Sequence, residues 1–135
     1  MTLKWMLDTN SCIAIMNGSP ESVRRELLKH PVDSVGMSVV NLYELEYGVN
    51  KSKKKAQNRK TLEGFRKYIQ TYPWDDACAV QAGLLRAMLE KQGNLIGPYD
   101  MLIAAHTLAL GATLVTHNMK EFKRVKGLKV VDWVK

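Results

Sequence analysis

Four acids carry the chemistry this chain could perform: Asp8, Glu44, Asp100 and Glu121. Each sits where a charge is hard to keep. Asp8 closes the apolar run Trp5-Met6-Leu7 and is followed by Thr9-Asn10, while Glu44 lies inside Val39-Val40-Asn41-Leu42-Tyr43-Glu44-Leu45. Asp100 is the only formally charged residue between Pro98 and Leu110, and Glu121 follows the apolar pair Leu114-Val115 and the polar turn Thr116-His117-Asn118. A lone carboxylate taken out of water costs several kcal/mol unless it is compensated, and a divalent cation compensates a group of them at once. Ligand sets made only of oxygen suit Mg²⁺ or Mn²⁺ and suit zinc poorly. Inside an otherwise basic chain, such a set suggests metal-dependent chemistry on a polyanion.

Taken singly, each acid has a plain structural use. An aspartate after a strand often caps the next helix. A glutamate can snorkel or pair with a lysine. A first-turn aspartate complements the helix dipole, and Glu121 beside Lys120 and Lys123 looks like surface. The histidines offer no rival centre. His30 precedes Pro31 at a helix end, His106 in Ala104-Ala105-His106-Thr107 reads as a satisfied core histidine, and His117 reads as exposed. There is no nucleophile elbow, phosphate-binding glycine loop or Cys-His spacing.

The elements that must position these acids are short. Residues 4–7 read as a first strand ending at Asp8. Ser19-Pro20-Glu21 reads as a helix start, with Ser19 capping and Pro20 at the first helical position, running to about Lys29. Residues 35–37 are a brief second strand, and Ser38 caps a helix that carries Glu44 and ends near Gly48. The spacing of Leu62, Phe65 and Ile69 predicts a helix over 56–68. Asp75 or Asp76 opens a long helix through Leu84, Leu85, Met88 and Leu89, stopped by Gln92-Gly93. Pro98 starts a helix through Leu110 that Gly111 ends, and 113–116 and 129–131 are the last strands. Strand alternating with helix predicts a three-layer α/β/α sandwich with a short, mostly parallel sheet. No linker divides residues 1–135, which are expected to form a single domain. In open parallel sheets, sites form past the carboxyl ends of the strands. Asp8 and residues 116–121 directly follow strands, Asp100 lies in the first turn of its helix and Glu44 in the second turn of another. The four acids are therefore expected to meet at one edge.

With 46% hydrophobic residues over 135 positions the chain can build a core, and its net charge of +7 points to an anionic partner: nucleic acid, an anionic membrane or an acidic protein. No apolar run is long enough to cross a membrane, and the N-terminus lacks the apolar core of a signal peptide. Cys12 and Cys78 lie in apolar contexts and read as buried, reduced thiols of a cytoplasmic protein, with a disulfide as the alternative. The densest basic run is Lys51, Lys53, Lys54 and Lys55, continued by Arg59 and Lys60, and a second cluster (Lys120, Lys123, Arg124, Lys126) flanks Glu121. Such runs are ordinarily solvated helix faces, but both are candidates for salt-sensitive phosphate contact.

Set out in this order, the residues resemble the PIN-domain ribonucleases, and within them the VapC toxins of bacterial toxin–antitoxin pairs. The resemblance spans nearly the whole chain. It is carried by Met6-Leu7-Asp8-Thr9-Asn10, by Ser38-Val39-Val40 leading into Tyr43-Glu44-Leu45 and Tyr47-Gly48, by Ile96-Gly97-Pro98-Tyr99-Asp100 with Ile103-Ala104-Ala105-His106, and by Val115-Thr116 through Glu121-Phe122. It implies that Asp8, Glu44 and Asp100 bind metal, that Glu121 completes the set, and that Thr9, Asn10, Ser38, Thr116 and Asn118 support them by hydrogen bonds. Many PIN domains carry aspartate where this chain has Asn118, a departure that bears on a second metal. The resemblance also implies one or two Mg²⁺ ions (Mn²⁺ as substitute), a pair standing roughly 3.5–4 Å apart. Water would attack the phosphodiester in line, leaving a 5′-phosphate and a 3′-hydroxyl.

By the same resemblance the substrate is RNA, with tRNA and the initiator tRNA favoured, the protein is a homodimer, and a VapB-type antitoxin silences it. The stripe Val80, Leu84, Leu85, Met88, Leu89 could serve the dimer, a core face being its default use. The alternatives are a PIN nuclease of RNA processing or decay and a non-catalytic RNA-binding module. A phosphoryl-transfer enzyme with Asp8 as nucleophile is disfavoured, because that chemistry wants a second acid where Asn10 stands.

Overall fold

The computed structural model describes residues 2–134. Five strands, β1 (Trp5–Leu7), β2 (Val35–Ser38), β3 (Gln70–Tyr72), β4 (Thr113–Val115) and β5 (Lys129–Val131), form one sheet in the order β3-β2-β1-β4-β5. Every pairing is parallel. The helices are α1 (Thr9–Asn17), α2 (Glu21–Leu27), α3 (Val39–Lys51), α4 (Lys55–Tyr68), α5 (Asp76–Lys91), α6 (Pro98–Leu110) and α7 (Met119–Phe122). The expected α/β sandwich is the architecture observed.

Side chains of a strand alternate between faces, and β1 shows how that makes two cores. Leu7 packs with Val35, Met37, Leu62 and Val115 on one face, while Met6 packs with Leu89, Ile103, Leu114 and Phe122 on the other. Cys12 and Cys78 are buried and free, as the sequence indicates. Gly36 on β2 has a steric reason: a Cβ there would stand 2.5 Å from the Tyr72 ring and 3.1 Å from the Gln70 carbonyl of β3.

The sheet register lays out the functional edge. Leu7 is level with Met37 and with Val115, and Val115 is level with Val131. The next residues, Asp8, Ser38, Thr116 and Asp132, therefore leave the sheet side by side. Strand order reverses between β1 and β4, which is where ligands bind in open parallel sheets.

Several expectations need correction. Ser19 does not cap α2: its N–H donates to the Ala14 carbonyl at 3.1 Å and closes α1, while Pro20 stands at the N-cap in extended conformation. α3 continues through Gly48 to Lys51, since Gly48 keeps helical backbone and Ser52 is the C-cap. The α5 stripe divides, with Leu85 and Leu89 in the core and Val80, Leu84 and Met88 exposed. β3 and α7 had no counterpart in the sequence reading, and α1 was anticipated only as the helix that Asp8 could cap. No helix among the described residues is long and apolar enough to cross a membrane.

Candidate active site

Asp8 serves both of its possible roles. As N-cap of α1 its Oδ1 accepts the Ser11 N–H at 2.8 Å, and its side chain also hydrogen-bonds Thr116. The Ser11 hydroxyl donates to the Val115 carbonyl at 3.1 Å, and the Asp8 N–H donates to the same carbonyl at 3.0 Å, so the start of α1 is pinned to the end of β4. The carboxylate nonetheless stays at the edge of the sheet, almost fully buried. Burial pushes its pKa up from the ordinary aspartate value against those hydrogen bonds.

Glu44 is held by a relay that begins at the end of β2. Ser38 caps α3 by accepting the Val40 N–H at 3.0 Å, and Asn41 reciprocates by accepting the Ser38 N–H at 2.8 Å. The Asn41 amide donates to Thr9 Oγ1 at 2.9 Å, and the Thr9 hydroxyl donates to Glu44 Oε1 at 2.5 Å. Outer partners of this kind set the orientation of a ligating carboxylate. Thr9→Val keeps the shape and removes the donor to Glu44. A divalent cation held at this edge is then expected to bind roughly 10- to 100-fold more weakly while thermal unfolding stays near wild type; unchanged cation binding would remove Thr9 and its relay from the site.

His106 departs from the satisfied core histidine expected of it. Its Nδ1 meets the Ser38 hydroxyl at 2.7 Å, but its Nε2 is buried without a partner. Burial lowers its pKa and keeps the ring neutral, so it braces Ser38 from α6 rather than adding charge. Thr116, also buried, accepts the Asn118 N–H on its hydroxyl at 2.9 Å, and the Asn118 amide donates to Glu121 Oε1 at 3.3 Å. Asn118 thus orients Glu121. Asn10 is exposed in the first turn of α1.

Asp100 brings the four acids together electrostatically. It lies in the first turn of α6, after Gly97, where a Cβ would come 3.4 Å from its Oδ2. Its pKa rises to about 7, first through burial, then through a hydrogen bond and charge repulsion with Glu121, and then through the charges of Asp8 and Glu44. Each of the other three acids is therefore close enough to oppose its ionisation. Oxygen donors that repel one another suit a hard divalent cation, which lowers the energy of all of them at once. Among the described residues no three His, Cys, Asp or Glu side chains already stand in a metal-holding group. Protein donors set the present rotamers: Glu44 turns to Thr9, Glu121 to Asn118 and Asp8 to Ser11.

Asp132 is a residue that sequence reasoning missed. It follows β5 as Asp8 follows β1, and its charge reaches Asp8. Its Oδ2 lies 3.0 Å from His117 Nδ1, and its Oδ1 accepts the Val134 N–H at 2.8 Å. The signal available was the one used for Asp8, an acid directly after an apolar strand. The basic run lies further out. Lys51 ends α3, Lys53 and Lys54 form the turn, Lys55 opens α4, and all four are exposed about two helical turns beyond Glu44.

The five-stranded parallel sheet, with acids placed past its carboxyl edge, is the arrangement of a PIN-like fold. Residues 5–128 match the PIN domain family, and the chain belongs to that family. Nucleases of this family are metal-dependent as a group. The chain is 42% identical to the ribonuclease VapC2 of Rickettsia felis over 97% of its own length and 98% of that protein. It is 37% identical to the tRNA(fMet)-specific endonuclease VapC of Salmonella typhimurium, with 97% and 98% covered. The structure of DNA-bound VapBC from Salmonella typhimurium superposes with a TM-score of 0.93 at 36% identity, covering 98% of this chain and 99% of that one.

Proposed function

We propose that this chain is a metal-dependent endoribonuclease, the toxin of a type II toxin–antitoxin pair, that cuts transfer RNA in the cytoplasm and is silenced by a VapB-type antitoxin. The observation that carries the reading is Asp8 at the switch point between β1 and β4, with Glu44 tied at 2.5 Å to the neighbouring Thr9 and Asp100 near enough to feel the charges of Asp8, Glu44 and Glu121. The names of the relatives support the substrate class and the partner. Residues 1–135 act as one domain, and the exposed Val80, Leu84 and Met88 of α5 suit a homodimer.

In this reading Asp8, Glu44, Asp100 and Glu121 hold Mg²⁺, with Mn²⁺ as a substitute. When bound, the cation neutralises the acids and makes water a stronger nucleophile toward the phosphodiester. Thr9 and Asn118 hold Glu44 and Glu121 at this edge, and Asp100, in part protonated near neutral pH, would ionise to join the set. Thr116 and Ser11 fix Asp8, the most buried of the four. Lys51, Lys53, Lys54 and Lys55 contribute phosphate contacts outside the acidic edge.

Induced expression in a bacterial host tests the biological half of the reading. Growth is expected to stop with discrete tRNA fragments accumulating, and co-expression of a VapB-type antitoxin is expected to relieve both. Soluble, folded protein that leaves growth and tRNA untouched would refute the toxin reading and favour an RNA-binding module.

A further inference from the structure

Beside the acids stands a set of exposed aromatic rings that the reaction does not use. Tyr43 immediately precedes Glu44 and Tyr99 immediately precedes Asp100, and they are 54% and 43% exposed. Their hydroxyls are 3.3 Å apart and their ring centroids 5.4 Å apart, with the rings tilted by 53° rather than stacked. Each keeps about half its surface in solvent. Tyr47, 59% exposed, lies one helical turn beyond Tyr43, and the Lys51 ammonium sits over its ring, 4.9 Å from the centroid. Residues four apart on a helix share a face, so Tyr43, Tyr47 and Lys51 form one stripe about 12 Å long. The stripe begins at the acidic edge and ends at Lys53, Lys54 and Lys55.

We propose that Tyr99, Tyr43 and Tyr47 form a stacking track for the unpaired bases flanking the scissile phosphate, with Lys51 at its outer end engaging the backbone. The proposal rests on the ribonuclease reading above and names the form of RNA that it accepts. Single-stranded nucleic acid is bound where aromatic faces alternate with cations, because every base has a π-face and every linkage a charge. Large apolar surface left in water beside a catalytic edge is otherwise costly. Beyond Lys51 the stripe runs into Lys53, Lys54 and Lys55 on a chain of net charge +7, which complements a polyanion, and the alternation of ring faces with cations selects nucleic acid among polyanions.

The test uses the full-length protein in EDTA, which prevents cleavage, and a short oligoribonucleotide carrying 2-aminopurine. Wild type is expected to bind and quench the fluorophore. Tyr43→Ala is expected to lose about tenfold in affinity, and the quenching with it, whereas Tyr43→Phe keeps both. Lys51→Ala is expected to lower the salt slope of binding by about 0.7 without changing the quenching. Circular dichroism and sedimentation on the same samples report folding and self-association. A folded Tyr43→Ala variant with unchanged affinity and quenching overturns the track alone. A variant that loses self-association but not RNA binding makes the stripe an interface between copies, which also overturns it. Wild type that binds no RNA overturns the track, and the ribonuclease reading falls with it if Mg²⁺ restores no cleavage.

Discussion

Asp8→Asn is expected to abolish RNA cleavage, with a loss well beyond the roughly 10- to 100-fold that removal of an outer hydrogen-bonding partner costs. The fold should survive. Asparagine caps helices about as well as aspartate, and its Oδ1 can still accept the Ser11 N–H that Asp8 accepts at 2.8 Å. Burial already raises the Asp8 pKa, so removing the charge removes a penalty from the folded state. Single-turnover cleavage and thermal melting on the same samples separate the two effects. A variant that cuts at the wild-type rate would show that the acidic edge is not the catalytic centre.

Asp100→Asn should uncouple stability from activity in the opposite sense to an ordinary destabilising mutation. The folded-state pKa of Asp100 is about 7 against an ordinary value of 3.8. A carboxyl whose pKa rises on folding binds its proton more tightly in the native state, so its ionisation opposes folding. That penalty is absent below pH 3.8, grows as pH rises towards 7, and is fully present above. Metal-free wild type should therefore lose stability across that window relative to Asp100→Asn, and saturating Mg²⁺ should erase the difference. Asp100 is partly exposed, so solvent screening keeps the effect to a few degrees of melting temperature. Cleavage by the variant should fall as well, because the proposed metal set would lose one of its four carboxylates. A wild-type minus variant difference that is flat, or that favours wild type as pH rises, would contradict the repulsion assigned to this site.

How much of this was legible in the sequence depends on whether a feature is local. Asp8, Ser38 and Asp100 could be placed because each carries its own boundary signal: an apolar strand before it or a proline-initiated helix around it. Their meeting at one edge followed from the topology rule for parallel sheets. β3 was missed because Gln70-Thr71-Tyr72 is an edge strand, paired only with β2 and without the apolar run that marks buried parallel strands. α1 was legible only at its start, through Asp8 as a possible cap, because Thr9–Asn17 carries no further boundary signal before Gly18. Glu44 was placed, but its relay was not. Thr9 and Asn41 are 32 residues apart, and only the register of β1 with β2 brings them together. Likewise the α5 stripe could not be divided into core and surface before the packing against α6 was known. Tyr43 and Tyr99 became a pair only through the approach of α3 to α6.

The chemistry at the cut ends tests the acidic site most directly. Small RNA is incubated with purified protein in Mg²⁺ and in EDTA, and both termini of every fragment are mapped. Attack by water under four carboxylates and a divalent cation predicts 5′-phosphate and 3′-hydroxyl ends that vanish in EDTA and return when Mg²⁺ is restored. Fragments ending in 2′,3′-cyclic phosphate and persisting in EDTA would contradict it, because they require the RNA's own 2′-hydroxyl as nucleophile and leave the four acids without a catalytic role.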